Sequence, residues 1–414
     1  MITDTQTKTL EDAALRIGLK KLDTAPSTDL VKRPRLGTGG HFGDLFLWDT
    51  AFTCMWAMHF DGELPVADSL DNFYRVQDET GFIHRQYTPD GRSIFLPPHP
   101  ISWAPPVLTW AEMEYFALHG DTGRLERVYA HLVRHHRACR ERWRMDDGLY
   151  TGCPLGCGMD NLPRWPAGWS DDGKGIRFGH DHYLRRAVNQ RIIDHFMASD
   201  AYAWNLQGRF IDMSAQMALD ARMLAAMAGA IGRNDDQDAW MREHDELAGL
   251  INERMWHDGL GAYVDLGHGE QIPRLHIGGF WPLLAGIVPD DRVERLVALL
   301  RDERHFDRPT PIPTLAASEP EYADGGDYWL GGVWAPTNFM VLKGLAYVGR
   351  GDLAGDLAAR YVDAVWRVYE ETRTLWENYD PERPVRGGHS GPDFCGWTGL
   401  AAVSIPREFL APQP

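Results

Sequence analysis

The chain has 414 residues, 44% hydrophobic and 24% charged, a mixture typical of globular proteins rather than disordered ones. Its net charge is −17 without any basic run, which argues against nucleic acid as a partner. The polar start of the chain shows no apolar signal segment, and no run of about 18 apolar residues offers a membrane span. Five cysteines, an odd number, favour free thiols, so we expect a cytoplasmic protein with no membrane partner.

Helical periodicity dominates the chain and predicts a series of buried or amphipathic helices. In chain order they cover residues 50–60, 66–77, 107–118, 122–144, 211–230, 235–255, 290–301, 332–348 and 353–370, with a last inner helix within 392–405. Gly120 and Asp121 are the residue types favoured at a helix C′ position and at the N-cap of the next helix. Such tight turns alternate with long loops rich in glycine, proline and aromatic residues, and long loops are where functional residues concentrate.

Strand signals are few and short. Roughly a dozen helices in one array therefore favour an all-α fold, a single (α/α)6 toroid whose long loops form a functional rim. A helical segment at 1–30 is expected to pack on this toroid, which takes up residues 31–410. The stretch 151–205 is long for a loop and is expected to form a lid or a pocket wall.

Two pairs of closely spaced histidines occur in the chain, and one of them is a candidate for a metal site. His180 and His182 lie in GHDHYLRR, but their spacing matches no recognised zinc arrangement, so we expect no metal there and leave the role of this segment open. His135 and His136 lie in a charged helix and are expected on its solvated face.

Four blocks place carboxylates or amides beside tryptophans at the ends of predicted helices. They are GTGGHFGDLFLWDTAF at 37–52, GCGMDNLPRW at 156–165, GGDYWLGGVWAPTNFMVLKGL at 325–345, and LWENYDPE at 375–382 with FCGWTGL at 394–400. Amphipathic rings beside polar groups are suited to a pocket that stacks on a sugar face and hydrogen-bonds its hydroxyls.

Cleavage of a glycosidic bond uses two carboxyl groups, one protonated and one ionised. Asp160 and Glu377 are candidates, because each lies in a loop near tryptophan and a partly buried aromatic site raises the pKa of an acid. Alternatives stay open: Asp160 belongs to a plain turn, or Glu377 anchors the turn at 378–381. Asp49, after Trp48, either N-caps the following helix or binds sugar hydroxyls.

These blocks resemble the (α/α)6 glycoside hydrolases of the family 63 and trehalase groups, most of all bacterial mannosylglycerate and glucosylglycerate hydrolases. The matching segments are Gly39-Gly40, Trp48-Asp49-Thr50, GMDNLPRW at 158–165, YWLGGVWAPTN at 328–338, ENYDP at 377–381 and Gly396-Trp397-Thr398. The resemblance spans residues 37–405. Thr38, Ala104 and Leu330 replace the usual Pro, Gln and Arg, and lost polar contacts are expected to change which aglycone or sugar is accepted.

The resemblance implies an inverting α-glycosidase without a cofactor or metal, with residues 31–410 as its catalytic domain. Its substrate would be a small α-glucoside or α-mannoside, either glucosylglycerate-like or a short disaccharide. Asp160 would be the general acid and Glu377 the general base, about 6.5–9.5 Å apart. The candidates for substrate binding are Trp48, Asp49, Phe42, Trp103, Asn161, Arg164, Trp165, Tyr328, Trp329, Trp334, Trp376 and Trp397.

Three alternatives remain beside this interpretation. A trehalase-type disaccharide hydrolase has the same fold, although its second signature, Q-W-D-x-P, is absent from this sequence. A sugar epimerase on the same fold would rely on histidines, and the His-rich segment GHDHYLRR lies outside the four blocks. A non-catalytic sugar-binding protein would not need both carboxyls. The sequence leaves the oligomeric state open.

Overall fold

The computed structural model describes residues 2–97, 100–164 and 208–411. Within them the helices are α1 (Asp4–Lys20), α2 (Leu47–Ala57), α3 (Val66–Arg75), α4 (Leu108–His119), α5 (Thr122–Trp143), α6 (Ile211–Ala230), α7 (Asn234–Arg254), α8 (Trp281–Ala285), α9 (Asp290–Leu300), α10 (Ala335–Tyr347), α11 (Gly351–Thr372) and α12 (Gly399–Ala402). Shorter turns are 3-10 helices at Met58–Phe60, Pro100–Ser102 and Ile277–Phe280, and a π-helix at Pro406–Leu410.

Three two-stranded antiparallel ribbons accompany the helices. They pair β1 (Leu45–Phe46) with β2 (Gln86–Tyr87), β3 (Trp256–His257) with β4 (Ala262–Tyr263), and β5 (Leu266–Gly267) with β6 (Glu270–Gln271). The first ribbon lies directly before α2 and holds the chain around residue 85 against the start of that helix.

The even-numbered helices form a closed inner ring. Helix α2 packs against α4, α4 against α6, α6 against α8, α8 against α10, α10 against α12, and α12 against α2. Five odd-numbered helices pack outside it: α3 contacts α2, α5 contacts α4 and α6, α7 contacts α6, α11 contacts α10, and α1 contacts α11 and α12. The predicted all-α (α/α)6 toroid is confirmed.

Inner and outer helices differ in how much of their surface is buried. In α2, every residue except Asp49 is buried. In α7, the buried residues are Trp240, His244, Leu247 and Ile251, whose spacing forms one apolar stripe. An inner helix thus has mostly apolar neighbours, and a carboxylate is tolerated there only where a charged partner or a cavity reaches it.

Several predicted boundaries are confirmed. Gly120 ends α4 in the left-handed conformation with φ of 70°, and the Asp121 side chain accepts a hydrogen bond from the Arg124 amide at 2.9 Å. Helix α6 has the predicted bounds. The last predicted helix, within 392–405, is α-helical only at Gly399–Ala402, because the chain before it runs beside the segment around Trp376.

The prediction that His135 and His136 are solvated is wrong. Both side chains are buried, because α5 packs against α6. His136 bonds through Nδ1 to Asp220 of α6 at 2.6 Å and through Nε2 to Glu243 of α7 at 3.0 Å. Burial alone would lower its pKa, but these two carboxylates outweigh burial and raise the pKa to about 9. His136 is therefore a charged link among three helices.

The N-terminal helix begins with a capping box, in which the Thr3 side chain accepts from the Gln6 amide while Gln6 accepts from Thr3. Because α1 contacts α11 and α12, it occupies an outer position of the ring. The division into a segment at 1–30 and a domain at 31–410 stays a prediction. Within the described ranges, no helix combines the length and apolarity that crossing a membrane requires.

Candidate active site

One cavity lies beside the N-terminal ends of α2, α10 and α12, and all four sequence blocks contribute to it. Its walls are formed by Thr38, Phe42, Phe46, Trp48, Asp49, Arg85, Gly156, Gly158, Asp160, Tyr328, Glu377, Phe394 and Trp397. The structure thus brings together seven of the predicted site residues, including the carboxyls of Asp49, Asp160 and Glu377. Aromatic rings form much of the remaining surface.

Asp160 lies in a tight loop whose own hydrogen bonds are made by the backbone. The Met159 amide donates to Pro154 O at 3.1 Å, and the Leu162 amide donates to Met159 O at 3.0 Å. Gly158 has φ of 80° and faces Trp48, from whose indole an added Cβ would lie only 3.3 Å away. Because the turn does not use the Asp160 carboxyl, this side chain is available to the cavity.

Asn161 ties the Asp160 loop to the segment before α10. Its Oδ1 accepts from the Trp329 amide at 2.9 Å, and its Nδ2 donates to Asp327 O at 3.3 Å. Between these two residues Tyr328 adopts φ of 59°, a left-handed conformation that is strained for a bulky residue. The Trp334 indole donates to Tyr328 O at 3.1 Å. These bonds hold a strained Tyr328 in the wall of the cavity.

Glu377 is held in the cavity wall by the segment that follows it in the chain. Its Oε2 accepts from the Gly391 amide at 3.1 Å, and its own amide donates to Gly391 O at 3.1 Å. The turn at 378–381 is anchored instead by Asp380, which accepts from the amides of Glu382 and Arg383. The alternative role of Glu377 as a turn anchor is therefore taken by Asp380.

The first and fourth blocks meet at two glycines. An added Cβ on Gly396 would lie 1.7 Å from Thr38 O, and one on Gly39 would lie 2.6 Å from Gly396 N. Glycine is thus required by close approach of the two backbones, and this contact brings Trp397 and Glu377 toward the start of α2. Trp397 also donates to Glu377 O at 3.3 Å.

Asp49 lies in the first turn of α2 and does not cap it. The N-cap residue is Phe46, which makes no side-chain capping bond. The alternative that Asp49 N-caps the helix is therefore wrong, because the helix begins two residues earlier than Asp49. Its carboxyl faces the cavity together with the neighbouring Trp48 ring.

All three carboxyl groups of the cavity hold protons more tightly than usual. Burial raises the pKa of Asp49 to about 7, that of Asp160 to about 6 and that of Glu377 to about 8. The positive charge of Arg85 opposes burial at Asp49 and Asp160, and the Gly391 amide opposes it at Glu377. Near neutral pH the cavity therefore holds both protonated and ionised carboxyls, which acid–base chemistry requires.

Arg164 does not line the cavity, although the sequence predicted a substrate contact. Its guanidinium is buried and bonds to the carboxylates of Asp212 and Asp265, the latter at 2.9 Å, and to Cys157 Sγ at 3.3 Å. His276 Nδ1 accepts from the Gly278 amide, so its Nε2 donates to Asp265 at 3.2 Å. This ionic cluster fixes the end of the Asp160 loop to α6 and to the residues before α8.

Four predicted tryptophans also lie away from the cavity lining. Trp103 is buried and stacks on Trp143 at 5.8 Å. Trp329 and Trp334 stack on each other at 4.1 Å and support the wall from behind. The Trp376 indole donates to Thr372 Oγ1 at 3.1 Å on the far side of its segment. Trp165, the 179–186 segment and most of the predicted lid at 151–205 lie outside the described residues.

Several lining residues were not identified from the sequence. They are Thr38, Phe46, Arg85, Gly156, Gly158 and Phe394. All of them except Arg85 lie inside the four blocks. A prediction that included every residue of each block would therefore have contained them. Arg85 has no such signal, because the β1–β2 pairing brings it to the cavity.

A larger groove lies on the outer surface between α5 and α7 and is lined mostly by charged residues, among them Arg140, Arg144 and Glu246. Arg140 bonds to Glu243 at 2.8 Å, and Arg144 bonds to Glu246. Since its charges neutralise one another and no aromatic ring is among its described lining residues, this groove is a poorer candidate for a sugar site than the cavity.

A carboxyl-bearing, aromatic cavity at one end of an (α/α)6 ring is the arrangement of a glycoside hydrolase. The sequence profile of the mannosylglycerate hydrolase MGH1-like glycoside hydrolase domain matches residues 44–398, and the chain belongs to this family. The predicted resemblance to the family 63 and trehalase group is therefore confirmed.

The individual relatives have low sequence identity to this chain. The periplasmic trehalase of Escherichia coli O1:K1 / APEC is 24% identical over 423 residues, covering 92% of this chain and 70% of the trehalase. An uncharacterised protein of Borreliella burgdorferi is 26% identical over 329 residues; the match covers 78% of this chain and 61% of that protein, less than two thirds of its length.

Solved structures show the same fold. The crystal structure of the GH63 mannosylglycerate hydrolase from Thermus thermophilus in complex with glucose has a TM-score of 0.70 and 22% identity. The match covers 96% of this chain and 99% of that one.

Proposed function

We propose that this chain is an inverting α-glycosidase that hydrolyses a small α-glucoside or α-mannoside, with Asp160 as general acid and Glu377 as general base. The observation that carries the proposal is that both carboxyls line one aromatic-walled cavity, in which burial moves their pKa values toward neutrality. Two carboxyls that flank one bond are what glycoside hydrolysis needs.

The reaction is a single displacement. Asp160 donates its proton to the glycosidic oxygen as the bond between the anomeric carbon and that oxygen breaks. A water molecule attacks the anomeric carbon from the opposite face and gives its proton to Glu377. The products are the β-anomer of the sugar and the free alcohol, and we expect the two carboxyls to lie about 6.5–9.5 Å apart, leaving room for the water.

These roles require the opposite proton order from that set by the protein alone, where the pKa of Glu377, about 8, exceeds that of Asp160, about 6. Bound substrate supplies the reversal. A glycosidic oxygen that accepts from Asp160 stabilises the protonated carboxyl and raises its pKa, whereas a water that donates to Glu377 stabilises the carboxylate and lowers its pKa. Proton positions are thus set in the complex with substrate.

The proposed sugar subsite consists of the remaining walls. Trp48 and Trp397 line the cavity and would supply aromatic surface against which a sugar packs, and Asp49 would accept hydrogen bonds from sugar hydroxyls. Glucose or mannose is favoured because the Thermus enzyme is named for mannosylglycerate and was solved with glucose. Trehalose is the second candidate, since the Escherichia coli trehalase matches 92% of this chain.

The test is to incubate the whole protein with a panel of α-glycosides and to follow the products by proton NMR from the first minute. The panel contains glucosylglycerate, mannosylglycerate, trehalose, kojibiose, nigerose, isomaltose and sucrose. We expect one compound to be cleaved, with the β-sugar appearing before mutarotation produces the α-anomer. The cleaved compound names the substrate, and the first anomer reports the stereochemistry.

Control variants separate the proposed roles from general damage. Asp160→Asn and Glu377→Gln should release sugar at least about a hundredfold more slowly than the wild type. Glu382→Gln, five residues further along the same segment and outside the cavity lining, should remain active. An α-anomer appearing first would overturn the inverting mechanism but keep the enzyme class. Full activity in either carboxyl variant would overturn its assigned role.

A further inference from the structure

Arg85 lines the cavity, yet it belongs to none of the four sequence blocks. Its backbone is fixed on both sides: the Arg85 amide donates to Ser102 O at 2.8 Å, and the Leu47 amide donates to Arg85 O at 3.0 Å. The guanidinium carbon lies over the Phe95 ring, 5.5 Å from its centre. These contacts hold Arg85 beside the first residue of α2, the helix whose first turn carries Asp49.

The guanidinium of Arg85 makes no hydrogen bond or ion pair with any residue of the described ranges. Arg164, by contrast, uses its donors on Asp212 and Asp265. A guanidinium carries five N–H donors, and one that is partly exposed to a cavity keeps them for whatever enters. Arg85 thus has the unused hydrogen-bonding capacity of a ligand-binding side chain.

The charges around Arg85 are one-sided. Asp49 and Asp160 lie close enough for its positive charge to favour their ionised forms, and both of these carboxyls in turn raise the pKa of Glu377. Among the described lining residues, Arg85 is the only one that carries a positive charge at neutral pH, and the cavity is otherwise acidic. Its partner therefore has to be chosen between Asp49 and Asp160.

The hydrogen bonds that a bound glycoside would make decide between Asp49 and Asp160. A glycosidic oxygen accepts from a protonated Asp160, so the proposed acid must keep its proton. A sugar hydroxyl donates to a carboxylate, so Asp49 must lose its proton. An arginine beside an ionised carboxylate completes a donor–acceptor pair that matches two neighbouring hydroxyls of a pyranose ring, one accepting from the guanidinium and one donating to the carboxylate.

We propose that Arg85 is a further substrate-contacting residue of this site: it favours the carboxylate form of Asp49 and, together with Asp49, binds neighbouring hydroxyls of the sugar. The inference rests on the proposed function, because it assumes that a sugar occupies the cavity. It assigns to Arg85 a role in sugar affinity and in the pH at which the sugar binds.

The experiment measures binding of glucose and of mannose to the whole chain by isothermal titration calorimetry between pH 5 and 9. The variants are Arg85→Met, Arg85→Lys and, as the matched control, Arg92→Met. Arg92 lies on the same segment, with its side chain 76% exposed and paired with Asp90. Thermal unfolding of each variant is recorded at every pH.

We expect Arg85→Met to bind the sugar about tenfold to hundredfold more weakly, the loss of one or two hydrogen bonds to a charged group. Without the guanidinium the pKa of Asp49 rises, so the pH at which binding is half lost on acidification should move upward in Arg85→Met. Arg85→Lys keeps the charge and should leave that pH unchanged while binding more weakly than the wild type. Arg92→Met should match the wild type in every respect.

A structural role would give a different pattern. If Arg85→Met lowers the unfolding temperature and leaves the midpoint pH of sugar binding where it is, Arg85 serves packing on Phe95 and the inference is overturned. Unchanged sugar affinity in Arg85→Met also overturns it, while leaving the proposed function intact. A wild-type protein that binds neither sugar and cleaves no glycoside would overturn the proposed function and this inference together.

Discussion

The segment that carries Asp160 contributes to two sets of carboxyl groups, one partly exposed to the cavity and one buried, with opposite pKa values. On the cavity side, Asp49, Asp160 and Glu377 have few hydrogen bonds and raised pKa values. On the other side, Asp265 is buried, but Arg164 and His276 outweigh burial and hold its pKa well below the usual range. Loss of water raises the pKa in both sets, and the charged partners decide whether that effect is outweighed.

The comparison shows that the same fold uses some carboxyl groups for acid–base chemistry and others for stability. A buried carboxylate with a cation and amide donors is ionised permanently and serves as an anchor. A buried carboxyl without them exchanges its proton near neutral pH, which is useful in acid–base catalysis and unfavourable for the folded state. Variants of the cavity carboxyls should therefore lose catalytic activity, whereas variants of the ionic cluster should lose stability.

The largest expected effect is on turnover. Asp160→Asn and Glu377→Gln should each lower kcat by about 10²–10⁴-fold, the usual contribution of a positioned acid or base. Their urea unfolding midpoints should not fall below that of the wild type. Steady-state kinetics on the substrate found in the NMR panel, with urea titrations beside them, measure both quantities. A carboxyl variant with near-normal kcat would remove that residue from the chemistry.

The next effect is on stability, on the other side of the loop. Arg164→Met removes the guanidinium that pairs with the buried Asp212 and Asp265 and leaves Asp265 only His276, so the free energy of unfolding should fall by about 3–5 kcal/mol. Urea denaturation followed by tryptophan fluorescence measures this. Arg304→Met, which removes a surface arginine with 80% of its side chain exposed, should leave the midpoint unchanged. An Arg164 variant as stable as the wild type would contradict the anchoring role.

A third prediction extends the comparison to the paired histidines of α5. His136→Gln should cost about 1.5–3 kcal/mol of unfolding free energy, because His136 donates to two carboxylates. Its folded pKa, about 9, lies above the unfolded value of about 6.5. The stabilisation is therefore complete below about pH 6.5 and is lost as the pH rises through about 9.

The neighbouring His135 is the matched control for this prediction. Burial lowers its pKa to about 3, so above pH 7 it is neutral in the folded protein and largely neutral in the unfolded chain. The stability difference between wild type and His135→Gln should therefore stay constant from pH 7 to 9. A His136 difference that also stays constant would show that His136 is not charged.

The smallest expected effect is a gain in the free energy of unfolding. The folded pKa of Glu377, about 8, lies above its unfolded value of 4.5, so Glu377 destabilises the folded protein increasingly as the pH rises from 4.5 to 8. Glu377→Gln should be more stable than the wild type by about 0.5–2 kcal/mol at pH 9 and equally stable near pH 4.5. Unfolding curves at the two pH values measure the difference.

Glu382, on the same segment, should contribute to stability with the opposite sign. Burial would raise its pKa, but Arg308 and Tyr322 outweigh burial and lower it. Glu382→Gln should therefore lose stability at neutral pH and match the wild type only in acid. If both Glu variants shift stability in the same direction, the contrast between the two kinds of carboxyl is wrong.

Much of the fold could be predicted because the signals that end one helix and begin the next are local in the sequence. Gly120 and Asp121 end one helix and begin the next through their own backbone and side-chain chemistry, and α6 has its predicted bounds. The charged pattern of α5 hid the burial of His135 and His136, since the partners of His136 come from other helices. Periodicity reports which residues lie on one face, not what that face meets.

The site was predictable where a motif is contiguous. Asp49, Asp160 and Glu377 each lie within a block, and the structure brings these three together. Trp103 and Trp397 have similar loop-like contexts, yet Trp103 stacks on Trp143 and only Trp397 reaches the cavity. Such choices are made by tertiary packing, which a single sequence does not display.

Closure of the inner ring between α2 and α12 has a consequence for synthesis. The two helices that meet are separated by more than 340 positions, Ala57 to Gly399, so the ring cannot close until nearly all of these residues have left the ribosome. At about 5–20 residues per second this takes about 17–70 seconds. During that interval the nascent α2 and α4 expose apolar surfaces that the ring later covers.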